Sequence, residues 1–367
     1  MPTITKNKIL KIDGSTGEGG GQIIRTALSL SMLTGTPIEI TNIRAGRAKP
    51  GLMRQHLVCV QASQQISDAA VTGAHLGSTT FRFVPAAIKS GDYTFDIGSA
   101  GSTSLVLQTL LPALLFANVD EHSKSTVTIK GGTHNPLAPT TDFLIQAFVP
   151  VLARLGMQVD IELQQVGFAP IGGGSIKATI TPFLRRANTL SLKLKERGEL
   201  INITLVASVL NLDYDICKRE LASTQASLVE SGIDKTLITT HSRKLQGIGE
   251  GNTCYAQVTH QFGKMYTQQY HQEMFTLLGE KRSSAENMGN RLAGLVKRYL
   301  FNTDALVDEY LTDQLLLPLA LSGGGAFSSR MISGHTETQA WLIEQFLPVE
   351  IQFDVVNDDT TLVKVIA

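Results

Sequence analysis

Apolar positions recur along this chain in runs of helical length, each opened by a glycine-rich turn and followed by a segment that alternates apolar and polar residues. The first run is GEGGGQIIRTALSLSMLTG at 17–35, followed by PIEITNI at 37–43. The second is GSAGSTSLVLQTLLPALLFANV at 98–119, followed by STVTIKGG at 125–132. The third is PTTDFLIQAFVPVLARLG at 139–156, followed by MQVDIEL at 157–163 and SIKATITP at 175–182. A weaker fourth begins with LTDQLLLPLALSGGG at 311–325 and ETQAWLIEQFLP at 337–348, and ends in VEIQFDV at 349–355 and TLVKVIA at 361–367. Spacings of three and four predict helices, and alternation predicts strands. The helical runs carry apolar residues on more than one face, so each is expected to be covered on several sides. Gly35 and Gly156 fall where a left-handed C-cap belongs. The pattern predicts an α/β (α+β) fold built from repeated βαβ-type units.

The stretch 184–281 breaks the theme. It carries more polar and charged residues, a helix expected near 215–232, and strands expected near 235–241 and 253–260. It is read as a small inserted α/β domain. Residues 1–183 and 282–367 form the large domain, and the helix at 283–301 returns the chain to it.

Composition narrows the class without choosing a function. Hydrophobic residues make up 43% of the 367 and charged residues 17%, which suits a buried globular core and excludes a disordered chain. Lys plus Arg and Asp plus Glu balance at 32 each, so a nucleic-acid contact has to come from a local basic cleft. Cys59, Cys217 and Cys254 form no paired motif and are expected to be free thiols. Residues 1–14 lack the apolar core of a signal peptide, and the longest apolar stretch, 104–119, falls short of a membrane span. The expectation is a soluble cytoplasmic protein with no membrane partner. A homodimer is the expected assembly, although no motif specifies it.

Candidate chemistry clusters in a few places. Glycine-rich turns at 17–22, 98–103, 172–175 and 322–327 can expose backbone amides to an anion, and each can equally serve as a cap or a tight turn. None fits the P-loop or dinucleotide fingerprint. RAGRAKPGLMRQH at 44–56 packs Arg44, Arg47, Lys49, Arg54 and His56 around a break at Pro50 and Gly51, which suits a polyphosphate or an RNA end. Glu18, between glycines at a helix start, suits a divalent cation or simply the helix dipole. His335, after a triple-glycine turn and before a helix, is a candidate nucleophile or general acid/base, or an ordinary loop residue. The residues alone lead to a phosphate-handling α/β enzyme.

Taken together and in order, these segments resemble the RNA 3'-terminal phosphate cyclase family. The matching stretches are 13–38, 43–56, 95–112, GGTHNPLAPTTDF at 131–143, GFAPIGGG at 167–174, EYLTDQLLLPLALSGGG at 309–325, and His335. The resemblance implies repeated α/β units like those of enolpyruvyl transferases, with a small inserted domain. It implies a reaction in which a histidine takes AMP from ATP and hands it to an RNA 3'-phosphate. The neighbouring 2'-hydroxyl then closes a 2',3'-cyclic phosphate. Carried over by position, His335 is the nucleophile and Glu18 the ligand of Mg2+ or Mn2+. Gln22, Arg25, Arg44, Arg47, Gln55 and His56 line the phosphate and RNA-end pocket. Gln108, Pro136, Tyr310 and Asp313 hold adenosine. Two positions depart from the family: Val166 stands where Arg or His is usual, and Ser-Gly-His-Thr at 333–336 replaces the frequent Ser-Cys-His-Leu. The rival readings are a noncatalytic cyclase-like factor of ribosome biogenesis and, less well matched, an enolpyruvyl transferase.

Overall fold

The computed structural model describes residues 8–117, 123–183, 192–262 and 269–367. The first unit runs β1 (Leu10–Asp13), α1 (Gly21–Thr34), β2 (Ile38–Thr41), α2 (Arg54–Ser67), β3 (Ala70–Thr72) and β4 (Phe81–Val84). The second runs β5 (Asp92–Asp96), α3 (Thr103–Leu115), β6 (Ser125–Gly131), then α4 (Thr141–Phe143), a π-helical turn at Leu144–Phe148 and α5 (Val149–Arg154), and closes with β7 (Gln158–Gln165) and β8 (Gly174–Thr181). Next come β9 (Leu192–Leu194) and a separate layer: β10 (Leu200–Leu210), α6 (Asp215–Glu230), β11 (Ile238–Leu245), β12 (Gly251–Phe262), β13 (Gln269–Leu278) and α7 (Ala285–Asn302). The chain ends with α8 (Glu309–Ser322), β14 (Gly325–Ser329), α9 (Gly334–Phe346), β15 (Glu350–Asn357) and β16 (Thr360–Ile366).

Sheet pairing makes the repeat explicit. The orders β1-β2-β4-β3, β5-β6-β8-β7 and β9-β14-β16-β15 are one topology three times. In each, the first two strands run parallel and the others antiparallel. The repeating unit is therefore βαβαββ, larger than the single helix-and-strand theme of the sequence. The second and third sequence runs are two halves of one unit. α2, which opens at Arg54, fills in the first unit the place that α4 and α5 fill in the second.

Helices of the three units pack on one another. α1 touches α2, α3 and α9, and α8 touches α9. That crowding explains why burial in α1 goes all round the helix, taking in Gln22, Thr26 and Ser29 on the side opposite Ile24 and Leu28. The sheets supply alternating residues to the same core, such as Val127 and Ile129 of β6 and Ile176, Ala178 and Ile180 of β8. Gly35 ends α1 at φ 70°, and Gly156, at φ 84°, follows α5.

The inserted layer has the order β11-β10-β12-β13, unlike the other three sheets. Ile203, Leu205, Ala207 and Val209 of β10 pack with Leu221, Met288, Leu292 and Val296 of α6 and α7. Val206, Tyr255 and Met274 join the main core instead. A sheet covered on both faces accounts for the nearly unbroken apolar run of β10. The expected edges of this domain, 184 and 281, differ from those drawn by packing. Position 184 lies outside the described residues, and β9 at 192–194 pairs with β14 in the third unit. At the other edge, α7 does not return the chain directly to the body, because its apolar face covers the inserted sheet. β13, which the sequence pattern did not announce, is the edge strand of that sheet beside β12. Among the described residues no helix is long and apolar enough to cross a membrane.

Glu220 of α6 is 1% exposed and accepts one hydrogen bond, from Asn252 Nδ2 at 3.1 Å. Burial, against the weaker help of Asn252, pushes its carboxyl up to about 7. The folded chain therefore binds this proton more tightly than the unfolded chain. The stability it contributes is complete below the ordinary carboxylate range near 4.5 and is lost as pH rises through about 7. Glu220→Gln is expected to melt higher than the parent at pH 8, by up to about 3 kcal/mol, with the gap closing toward pH 5. Thermal melts across that range check it, and a variant that melts lower at pH 8 contradicts the assignment.

Candidate active site

Of the glycine-rich turns, that at 17–22 opens onto His335. A side chain at Gly17 would collide with Thr338, one at Gly20 would press on Arg47, and one at Gly21 would overlap His56 and crowd Arg25. Space is tightest at Gly17 and Gly21, where Thr338 and His56 close on the backbone. The turns at 98–103 and 172–175 serve each other instead: Gly172, at φ 76°, lies against Ala100, leaving no room for a Cβ. Gly323 and Gly324 take left-handed conformations between α8 and β14.

α1 starts at this turn with Gly20 as its N-cap and no side-chain cap, while Ser102, Ser284 and Ser333 cap α3, α7 and α9. An uncapped helix start presents amide hydrogens and positive dipole to an anion. Cationic and donor groups converge beside it. His56 Nδ1 accepts from the Met53 amide at 3.2 Å, so the neutral ring carries its proton on Nε2, the atom facing Gly21. Burial, then the charges of Arg25 and Arg44, push this imidazole down to about 3 and keep it neutral at physiological pH. Burial also lowers the Arg25 guanidinium, against the attraction of Asp313. Arg47 donates to the Glu18 carbonyl at 3.3 Å and lies 3.9 Å from its carboxylate.

His335 is the second residue of α9, and its half-exposed ring stands between Glu18 and Gln22. Nε2 is 3.2 Å from Glu18 Oε2, and Nδ1 is 3.0 Å from Gln22 Oε1. Gln22 Nε2 donates to Gln339 Oε1 at 2.6 Å, and Gln339 Nε2 donates to the Asp313 carbonyl at 2.9 Å. The Glu18 amide donates to Thr338 Oγ1 at 3.4 Å, tying the glycine turn to α9.

The other expected residues distribute as follows. Gln55 Oε1 accepts from the Ser102 amide at 2.7 Å and joins α2 to the turn before α3. Arg44, at φ 54°, turns into its own loop and donates to the carbonyls of Lys49 and Gly51 at 2.7 and 2.9 Å. Tyr310 and Asp313 lie three residues apart in the first turns of α8, and Tyr310 is 57% exposed. Burial raises the Asp313 carboxyl to about 6, while the Gln314 hydrogen bond and Arg25 pull it down. Gln314 donates to Asp313 at 2.8 Å and accepts from Gln108, linking α3 to α8. Pro136 is exposed in the turn after β6. The structure thus brings His335, Glu18, Gln22 and Arg47 into contact and reaches Asp313 through Gln339. Pro136 stands in the second unit, apart from that chain of contacts.

Sequence reasoning missed Gln339, Thr338 and Gln314. A signal existed for the first: Gln339 lies four residues after His335, on one helix face, among apolar neighbours.

Glu18 suits a divalent cation of one kind. Among the described residues no group of three or more His, Cys, Asp or Glu could hold a metal. A lone accessible carboxylate fits a hard cation that completes its shell with phosphate oxygens and water.

Both departures have a physical setting. Val166 packs with Phe168 and Leu210 and forms an isolated bridge with Gly247, so an apolar residue is at home there, facing the inserted layer. Gly334 lies under Glu18, and a Cβ at this position would stand 2.9 Å from Glu18 Oε1.

A body of three βαβαββ units, with an imidazole beside a cation-rimmed helix start, defines a repeated α/β protein with a candidate site at the seam of its first and last units. The sequence profile of RNA 3'-terminal phosphate cyclase matches residues 16–353. The RNA 3'-terminal phosphate cyclase of Ralstonia nicotianae is 45% identical over 350 residues, covering 95% of this chain and 94% of that protein. Those of Salmonella typhimurium and Salmonella agona are 43% and 42% identical, over 93% and 95% of this chain and 94% of each relative. The chain belongs to the RNA 3'-terminal phosphate cyclase family of enzymes.

Gly334→Ala tests how firmly Glu18 is held. The flexible carboxylate is expected to give way by a few tenths of an ångström, while the helix gains up to about 1 kcal/mol from losing glycine. A melting temperature equal to or above the parent's is the expected result. A clear drop would mean that Glu18 cannot move.

Proposed function

We propose that this chain converts the 3'-terminal phosphate of an RNA into a 2',3'-cyclic phosphate at the expense of ATP, through a covalent His335–AMP. The observation that carries the reading is the setting of His335, with Nδ1 against the Gln22 oxygen and Nε2 on the accessible edge beside Glu18. A neutral imidazole with its free lone pair on that edge is a competent nucleophile.

In the first step His335 Nε2 bonds to the α-phosphorus of ATP, the bond to the bridging oxygen breaks, and pyrophosphate leaves with that electron pair. An RNA 3'-phosphate oxygen then displaces His335 from the AMP phosphorus, forming a mixed anhydride. In the last step the vicinal 2'-hydroxyl attacks the terminal phosphorus, loses its proton and expels AMP. Each step moves charge among phosphate oxygens, which Arg25, Arg47 and the His56 donor face from the start of α1. Arg44, Gln22 and Gln55 complete this pocket in the reading. Tyr310, Asp313, Gln108 and Pro136 hold the adenosine. Glu18 would hold Mg2+ or Mn2+, which would neutralise phosphate charge and relieve the repulsion between the carboxylate and the Nε2 lone pair. This balance of roles favours a catalyst over the noncatalytic binding factor, which has no use for the imidazole.

The test incubates the protein and His335→Ala with magnesium and ATP labelled at the α-phosphate. Acid-labile label is expected on the parent and none on the variant. Absence of label on folded parent protein removes the covalent reading and favours the binding factor.

A further inference from the structure

Two buried glutamines run in series behind His335. Gln22 and Gln339 are 8% and 9% exposed, and together they link the imidazole to the backbone of α8. The direction of this chain is set at its far end. The Asp313 carbonyl only accepts, so Gln339 must turn its NH2 group toward it. The oxygen of Gln339 then faces Gln22, which must answer with its own NH2. That leaves the Gln22 oxygen toward His335, and an oxygen there requires a proton on Nδ1. The reversed order would set the Gln339 oxygen against the Asp313 carbonyl, an unpaired acceptor contact in a buried place.

At the other edge of the ring, Glu18 Oε2 lies 3.2 Å from Nε2 and by itself favours a proton on that nitrogen. The two sides of the ring compete for the same proton.

We propose that Gln339 is a positioning residue: acting through Gln22, it fixes the His335 proton on Nδ1 and leaves the Nε2 lone pair as the nucleophile. This deepens the function proposed above and rests on it for its kinetic consequence, although the proton position can be read without ATP or RNA. An imidazole held in the wrong tautomer loses most of its reactivity even with its geometry intact.

Gln339→Leu and Gln339→Glu separate this role from space-filling. Leucine keeps much of the volume and removes both hydrogen bonds, freeing Gln22 to flip. Glutamate still accepts from Gln22, and when protonated it also donates to Asp313. Space-filling makes leucine harmless and a buried glutamate damaging, whereas a directional chain gives the reverse order. With 15N-labelled histidine, imidazole spectra at a pH where the ring is neutral report which nitrogen carries the proton. The parent and Gln339→Glu are expected to show it on Nδ1, and Gln339→Leu on Nε2 or divided between the two. The rate of AMP labelling should fall roughly tenfold or more in Gln339→Leu and stay within a few-fold of the parent in Gln339→Glu. A parent with its proton on Nε2, or a Gln339→Leu protein that folds and keeps it on Nδ1, overturns the inference. A chain that sets the proton as expected but takes no label sinks the proposed reaction and leaves the role of Gln339 standing.

Discussion

Gln22 and Gln339 stand 317 positions apart and share a hydrogen bond of 2.6 Å in the interior. It forms because α1 of the first unit packs along α9 of the third, and the rest of the site follows from that packing. The same contact sets the glycine turn under Thr338, brings Glu18 to His335 and draws the arginine loop alongside. The body is therefore more than a stack of similar units. The residues proposed to react stand at the seam where the first and last units meet, and the second unit reaches that seam through Gln108 on α3.

Repetition of one topology supplies several helix starts, and small differences at the N-cap distinguish them. Serines cap α3 and α9, using side-chain oxygens to satisfy amides that a ligand would otherwise need. α1 has only glycine at that position, so its amides stay available while arginine and histidine close around them. The starts of α1 and α3 thus differ at one position, while α8, behind Asp308, shares with α1 the lack of a side-chain cap.

Much of this was legible in the sequence. The apolar runs located α1, α3, α8 and α9, the glycines marked turns and caps, and the segments matching the family brought out Glu18, Gln22 and His335. The repeated βαβ-type units are present, and what stayed hidden is that each continues through a further helix and two strands, because β1 and β3 are short and α2 begins inside a stretch read first for its charges. The edges of the inserted layer were also hidden. β9 is only three residues long and declares its unit through pairing with β14, and α7 looks alike whichever sheet it covers. Gln339 escaped notice because an amide in an apolar helix gives no sign of its partner until the fold supplies Gln22 and the Asp313 carbonyl.

The inserted layer also reaches the start of α8. Glu273 of β13, wholly buried, accepts from the Asp308 amide at 2.8 Å, and Asp308 is the N-cap of the helix that carries Tyr310 and Asp313. Placing the His335 cluster at the seam has a consequence for how the protein comes into being. Synthesis passes Glu18 long before it reaches His335, so the growing chain holds one half of the cluster throughout that interval. The imidazole, and Gln339 that supports it through Gln22, arrive only with α9. A chain stopped before α9 therefore carries Glu18 and Gln22 without the ring that they flank.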